Sequence, residues 1–155
     1  MNIYLLCPGK TRKQWLQDGI EFYLRKLRNY YQVKLIVTRA AKGREKQKAA
    51  LMEKEATAMR KAMPDRSYLI GLDVKGKALS SHELAKLMSK LEYRAVKNVT
   101  FIIGGAYGSA PGLLKECDTT ISLSRMTFTH DMSRLILLEQ LYRAGSINAG
   151  SPYHH

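Results

Sequence analysis

Short β-rich runs alternate with helical periods along the whole chain, and no other feature restricts the fold as strongly. The runs are NIYLL (2–6), VKLIV (33–37), SYLIGLD (67–73), VTFIIGG (99–105) and TTISLS (119–124). Several are continuously apolar rather than alternating, as strands covered on both faces are. Between them Leu16, Ile20, Tyr23, Leu24 and Leu27 form one helical stripe, and Met52, Ala56, Met59 and Met63 form another. Ser80 and Glu83 make a capping box that opens a third helix, and a fourth begins near Asp131. This alternation predicts an α/β fold with a mostly parallel sheet flanked by helices. Residues 1–155 carry no internal repeat or linker and read as a single domain.

The last helix, DMSRLILLEQLYRA (131–144), is apolar on more than one side, as a helix buried against two neighbours would be. A dimer interface is one explanation. Glu139 and Arg143 stand at i and i+4 within it and can pair. Such a pair serves equally as a structural ion bridge or as part of a site.

The chain holds 26 Lys and Arg against 13 Asp and Glu, a net charge of +13. So large an excess on a small domain points to a polyanion, because basic surface gains affinity by releasing phosphate counterions. RKLRNYY (25–31) and RAAKGREKQK (39–48) concentrate it, which suits a broad docking face better than one pocket. No apolar run approaches the length that spans a bilayer, and the N-terminus lacks signal-peptide features, so a cytoplasmic protein is expected. Cys7 and Cys117 form no C-x-x-C and read as core thiols. The four histidines show no ligand spacing, and no metal is expected.

In open parallel sheets ligands bind beyond the carboxyl ends of the strands. Three stretches end there: GLD (71–73), GGAYG (104–108) and LSRMTFTHD (123–131). Gly104, Gly105 and Gly108 permit close backbone approach, but a tight structural turn would use them equally well. Their order, G-G-x-x-G, is not the dinucleotide fingerprint. PGKT (8–11) imitates the end of a phosphate-binding loop, yet the glycine required five residues before Gly9 is Tyr4, inside a strand. The chain closes on GSPYHH, where Tyr and His could bind a base and move a proton, or the histidines could be remnants of a tag.

Taken together, LSRMTFTHDMSRLILLEQLYRAGSINAGSPYHH (123–155), GLDVKGKALSS (71–81) and IIGGAYG (102–108) closely resemble the ribosomal RNA large subunit methyltransferase H family. MTFTH, EQLYRA and PYHH in that order are the specific part, and the likeness spans essentially the whole chain. The resemblance implies a SPOUT-type fold with a C-terminal trefoil knot, which no rule of chain topology would suggest. It also implies S-adenosyl-L-methionine as cofactor, a homodimer, and methylation at N3 of a pseudouridine in 23S rRNA, within the ribosome. The ending then reads as native, although His155 stands where Lys or Arg is commoner.

Carried over by position, the resemblance assigns the cofactor to Leu72, Gly104, Leu123, Ser124, Arg125, Met126, Thr127 and Phe128, with Gly105 and Gly108 shaping the loop. The glycines would let the backbone wrap the cofactor without a pyrophosphate. Catalytic candidates are Tyr153 and His154 for the target base, with Arg143 and Glu139 organising the site and Arg134 beside them. His130 reads as a structural histidine near the cofactor loop. Two rivals stand: a catalytically silent basic RNA-binding module, and a SPOUT methyltransferase with a tRNA target.

Overall fold

Ile3, Leu5 and Cys7 pack into one hydrophobic cluster, while Leu6 joins another, so the first strand is covered on both faces. The computed structural model describes residues 1–151. Its order is β1 (Asn2–Pro8), α1 (Gln14–Leu27), β2 (Gln32–Thr38), α2 (Lys48–Ala62), β3 (Ser67–Ala78), α3 (Ser81–Tyr93), β4 (Asn98–Ile102), α4 (Pro111–Lys115), β5 (Thr119–Ser122) and α5 (His130–Asn148). A single 3₁₀ turn, Glu45–Gln47, leads into α2. The five strands form one sheet in the order β2-β1-β4-β3-β5, and every pairing is parallel.

The expected fold class is therefore the observed one. The larger core lies between the sheet and α1, α3 and α5, with Ile20 and Leu27, Leu84 and Met88, and Leu137 and Leu141 meeting Ile3, Val99 and Phe101. The smaller core, on the other face, joins Ala56 and Met59 of α2 and Leu113 of α4 to Leu6 and Ile102. Both faces of β1 and β4 are covered, which is why these strands show no polar alternation, whereas the edge strand β2 exposes Gln32, Lys34 and Val37.

Ser80 caps α3 as its sequence predicts: its hydroxyl accepts from the Glu83 N–H at 3.2 Å, and the Glu83 carboxylate accepts from the Ser80 N–H at 2.8 Å. Three features depart from the sequence reading. The short helix α4 was not expected; Pro111 at its first position is the cue, but five residues are too few to show a period. β3 runs on to Ala78 through a bulge, since Leu72 and Lys77 both face Ile121 and residues 73–76 loop out between them. A Cβ on Gly76 would lie 2.6 Å from the Ile121 carbonyl carbon, so this excursion passes over the β5 backbone where only glycine fits. Finally, much of the all-round apolarity of α5 is spent inside the chain, because Leu137, Leu138 and Leu141 are fully buried in the core shared with α1 and α3.

Candidate functional site

Because all five strands are parallel, the loops that follow them lie along one edge of the sheet. Leu72, the glycine loop and residues 123–128 thus leave neighbouring strands, β3, β4 and β5, at the same end. Gly71 pairs with Ile102 on one side and Thr120 on the other, and Leu72 with Ile121, which brings the three stretches into register. The structure assembles every proposed cofactor residue at this edge.

The glycine loop is a tight reversal. Gly105 and Gly108 bridge antiparallel, with the Gly108 N–H donating to the Gly105 carbonyl at 3.0 Å. A side chain on Gly104 would collide with the backbone of Gly108 and Ser109. The space beside Gly104, expected to receive a ligand, is therefore filled by the loop itself. Gly105 is also crowded, since a Cβ there would come 2.6 Å from the Glu55 carboxylate. Gly108 differs, with φ of +88° and open space around it.

Local hydrogen bonds also shape the 123–129 loop. Ser122 Oγ donates to the Ser124 carbonyl at 2.8 Å, and Ser124 Oγ accepts from the Met126 N–H at 3.0 Å. Thr129 caps α5, accepting from the Met132 N–H at 3.2 Å. Leu72 and Leu123 are half-buried against the core, whereas Arg125, Met126 and Thr127 are exposed.

Among the described residues, the catalytic candidates Arg134, Glu139 and Arg143 do not converge. Arg134 is fully buried, donating from Nη2 to the Pro8 carbonyl at 2.8 Å and from Nη1 to Thr11 Oγ1 at 2.9 Å. Its Nη1 also lies 3.2 Å from Asp131 Oδ1, a charge contact without hydrogen-bond alignment, since that oxygen has no hydrogen-bond partner. The side chain expected among the catalytic groups is thus an anchor between α5 and the end of β1. His130 is partly exposed, its Nε2 3.7 Å from Asp131 Oδ1. Glu139 and Arg143 do form the expected pair, at 2.7 Å. At 1.5 Å per residue they lie about 14 and 20 Å along α5 from His130 and the loop before it. They line a small cleft with Phe22, Tyr23, Lys26 and Tyr142 instead. Tyr153 and His154 lie outside the described residues.

Sequence reasoning missed Glu55. Its Oε1 accepts from the Ala41 N–H at 3.0 Å while its other oxygen faces Gly105, so one carboxylate spans two edge loops. The signal was present: Leu51, Glu55 and Met59 repeat every fourth residue, which places a carboxylate within the buried stripe of α2. Among the described residues no three His, Cys, Asp or Glu side chains converge as metal ligands would, and no helix is long and apolar enough to cross a membrane. A cleft of about 360 Å³, lined by Lys77, Leu79, Glu83, Lys86, Leu87, Thr119 and Ile121, flanks β5 rather than the glycine loop.

A family model described as "Predicted SPOUT methyltransferase" matches residues 1–154. The chain belongs to the SPOUT methyltransferase family. The family match is independent of the edge geometry, and relatives agree over their full length. A protein of Geobacter sp. (strain M21) named "Ribosomal RNA large subunit methyltransferase H" is 41% identical over 155 residues, covering 100% of this chain and 99% of the relative. Proteins of the same name from Halothermothrix orenii and Clostridioides difficile (strain 630) are 42% and 41% identical, with 99% of each chain covered. The fold of this SPOUT chain is shared with a probable methylase family protein from Haemophilus influenzae Rd KW20, at a TM-score of 0.58 and 14% identity over 99% of this chain and 70% of that one. It is also shared with a probable methyltransferase from Bordetella pertussis Tohama I, at 0.56 and 12% over 92% and 95%.

Proposed function

We propose that this SPOUT methyltransferase transfers a methyl group from S-adenosyl-L-methionine to N3 of a pseudouridine in 23S rRNA, acting in the cytoplasm on the assembled ribosome. The observation that carries this reading is full-length identity of about 41% to relatives named for methylation of large-subunit ribosomal RNA. The edge geometry supports the cofactor. Half-buried Leu72 and Leu123 offer apolar surface for a purine, and the turns of 104–108 and 123–127 offer backbone donors and acceptors. When bound, S-adenosyl-L-methionine presents an electrophilic methyl on a positive sulfonium, which departs as a neutral thioether.

The chain must then position the base and help its N3 proton leave, since the protonated imide is a poor nucleophile. Tyr153 and His154 are assigned to the target base, with Arg143 and Glu139 organising the site. The offset of that pair along α5 supports a site completed by a second copy of the chain. A homodimer is further supported by the α1 surface, where Trp15 and Phe22 are 60% and 44% exposed at helical spacing, Phe22 lining the Glu139–Arg143 cleft. The trefoil knot belongs to the same reading, as the resemblance to the family implies.

Labelled cofactor should mark a pseudouridine in 23S rRNA when incubated with 70S ribosomes, subunits and naked rRNA and mapped by mass, with ribosomes preferred. Label on tRNA alone would overturn the substrate. Removing residues 153–155 should lower methyl transfer by about 100-fold, as loss of an acid–base or positioning group does, while calorimetric cofactor binding is kept. Sedimentation should give a dimer at micromolar concentration; a fully active monomer would refute the shared site.

A further inference from the structure

The two basic clusters of the sequence fall at opposite edges of the sheet. Arg25, Lys26 and Arg28 end α1 and therefore lie at the amino edge, where Arg94 and Lys97 follow α3. The 39–48 cluster follows β2 at the carboxyl edge, and Lys10, Arg12 and Lys13 follow β1 beside it. A strand of seven residues at 3.3 Å each separates the two edges by about 20 Å. Of the two, only the second group shares its edge with the proposed cofactor loops.

Within that group Lys10, Arg12, Lys13, Arg39, Lys42 and Arg44 are all exposed. None of them enters an ion pair among the described residues. The two loops form one rim: the Gly9 N–H donates to the Thr38 carbonyl at 2.9 Å, and a Cβ on Gly9 would touch Ala40 Cβ at 3.2 Å. Glu55 then fixes the rim relative to the site, because it holds the Ala41 N–H with one oxygen and abuts Gly105 with the other. Cations without an ion-pair partner among the described residues, held at a set distance from a reacting centre, suit the phosphates flanking a target nucleotide.

We infer that the rim of residues 9–13 and 39–44 docks the RNA phosphate backbone beside the cofactor edge, and that Arg28, Arg94 and Lys97 at the amino edge take no part. The inference rests on the methyltransferase reading and adds where the substrate is held.

Two triple variants test it, the rim change R39A/K42A/R44A and the amino-edge change R28A/R94A/K97A, with R39K/R44K keeping the rim charge. Cofactor calorimetry on each checks that the fold is retained. Binding to naked 23S rRNA is measured against salt, and methyl transfer is measured on ribosomes lacking the modification. The rim variant should flatten the slope of log K against log [salt] by about 2–3, at roughly 0.7–0.9 for each phosphate left without its cation. Its KM for ribosomes should rise at least about 10-fold with kcat little changed, since phosphate contacts position rather than react. R39K/R44K and the amino-edge variant should stay near wild type. A rim variant with wild-type slope and KM, or a larger effect at the amino edge, overturns the docking surface while leaving the methyltransferase reading intact. Wild-type protein that binds RNA through the rim yet labels none retains the docking surface and overturns the methyltransferase reading.

Discussion

Arg134 and Pro8, 126 positions apart in the chain, are joined by a 2.8 Å hydrogen bond from the guanidinium Nη2 to the carbonyl that ends β1. Arg134 sits in the second turn of α5, so the bond holds the start of that helix, and the 123–129 loop before it, against the middle of the sheet. Asp131 and Thr11 complete the anchor at 3.2 and 2.9 Å from Nη1. A buried cation is tolerated here because a carbonyl and a hydroxyl accept from it and a carboxylate lies beside it, although its Nε has no hydrogen-bond partner among the described residues.

Arg134→Met should destabilise the fold by about 3–5 kcal/mol, the range for breaking one side of a buried ion pair. The buried carbonyl of Pro8 and the Asp131 carboxylate would be left without their partner. Urea unfolding measures this directly. A variant of near wild-type stability that had lost only methyl transfer would return Arg134 to the catalytic groups.

Gly104 and Gly108 should separate in the same assay. Gly104→Ala places a methyl against the backbone of Gly108 and Ser109, so the loop must open; both melting temperature and cofactor heat should fall markedly. Gly108→Ala meets open space and bears only the strain of a positive φ, about 1–2 kcal/mol. Equal effects at the two positions would contradict so tight a reversal.

Two carboxylates make stability depend on pH in the acid range. The Ser80 N–H and hydroxyl hold Glu83 below the usual carboxylate range, and the Arg60 guanidinium does the same to Glu116. A depressed folded-state value means stabilisation that is complete above the unfolded value of 4.5 and lost as pH falls through the lower folded one. The stability gap between wild type and Glu116→Gln should therefore narrow progressively below pH 4.5. A gap unchanged from pH 7 to pH 3 would show that Glu116 contributes nothing through its charge.

Burial pushes the Cys117 thiol from 9.0 up to about 11, and it pushes Cys7 up as well, against the opposing charge of Arg134. Only the thiolate is nucleophilic, so near neutral pH the native Cys117 should alkylate about 100-fold more slowly than a thiol at the ordinary value. Unfolding in urea should release both thiols. Rapid native alkylation of either would contradict its packing.

What the sequence made legible follows from the range of each interaction. The five strand runs and the Ser80 cap are set by neighbouring residues, and their alternation with helical stripes is enough to indicate a parallel sheet. β3 beyond Asp73 looked like a loop because VKGKA is polar and its partner, Ile121, is distant in the chain. The resemblance sets Arg134 among the catalytic candidates, and its contacts with Pro8 and Thr11 arise only through the fold, beyond the reach of local pattern. Glu55 was readable in principle from its position in a buried helical stripe, but its two contacts, Ala41 and Gly105, lie on separate loops.

The excursion of residues 73–76 over β5 has a kinetic consequence. The first four strands can pair before residue 119 exists, yet the edge that gathers Leu72, the glycine loop and the 123–128 loop closes only when the last part of the chain has emerged and been seated beside β3. A growing chain that has paired its first four strands is therefore still incompetent, and its larger core still lacks α5. The step that completes it joins segments far apart in sequence, the kind of closure that makes folding slow.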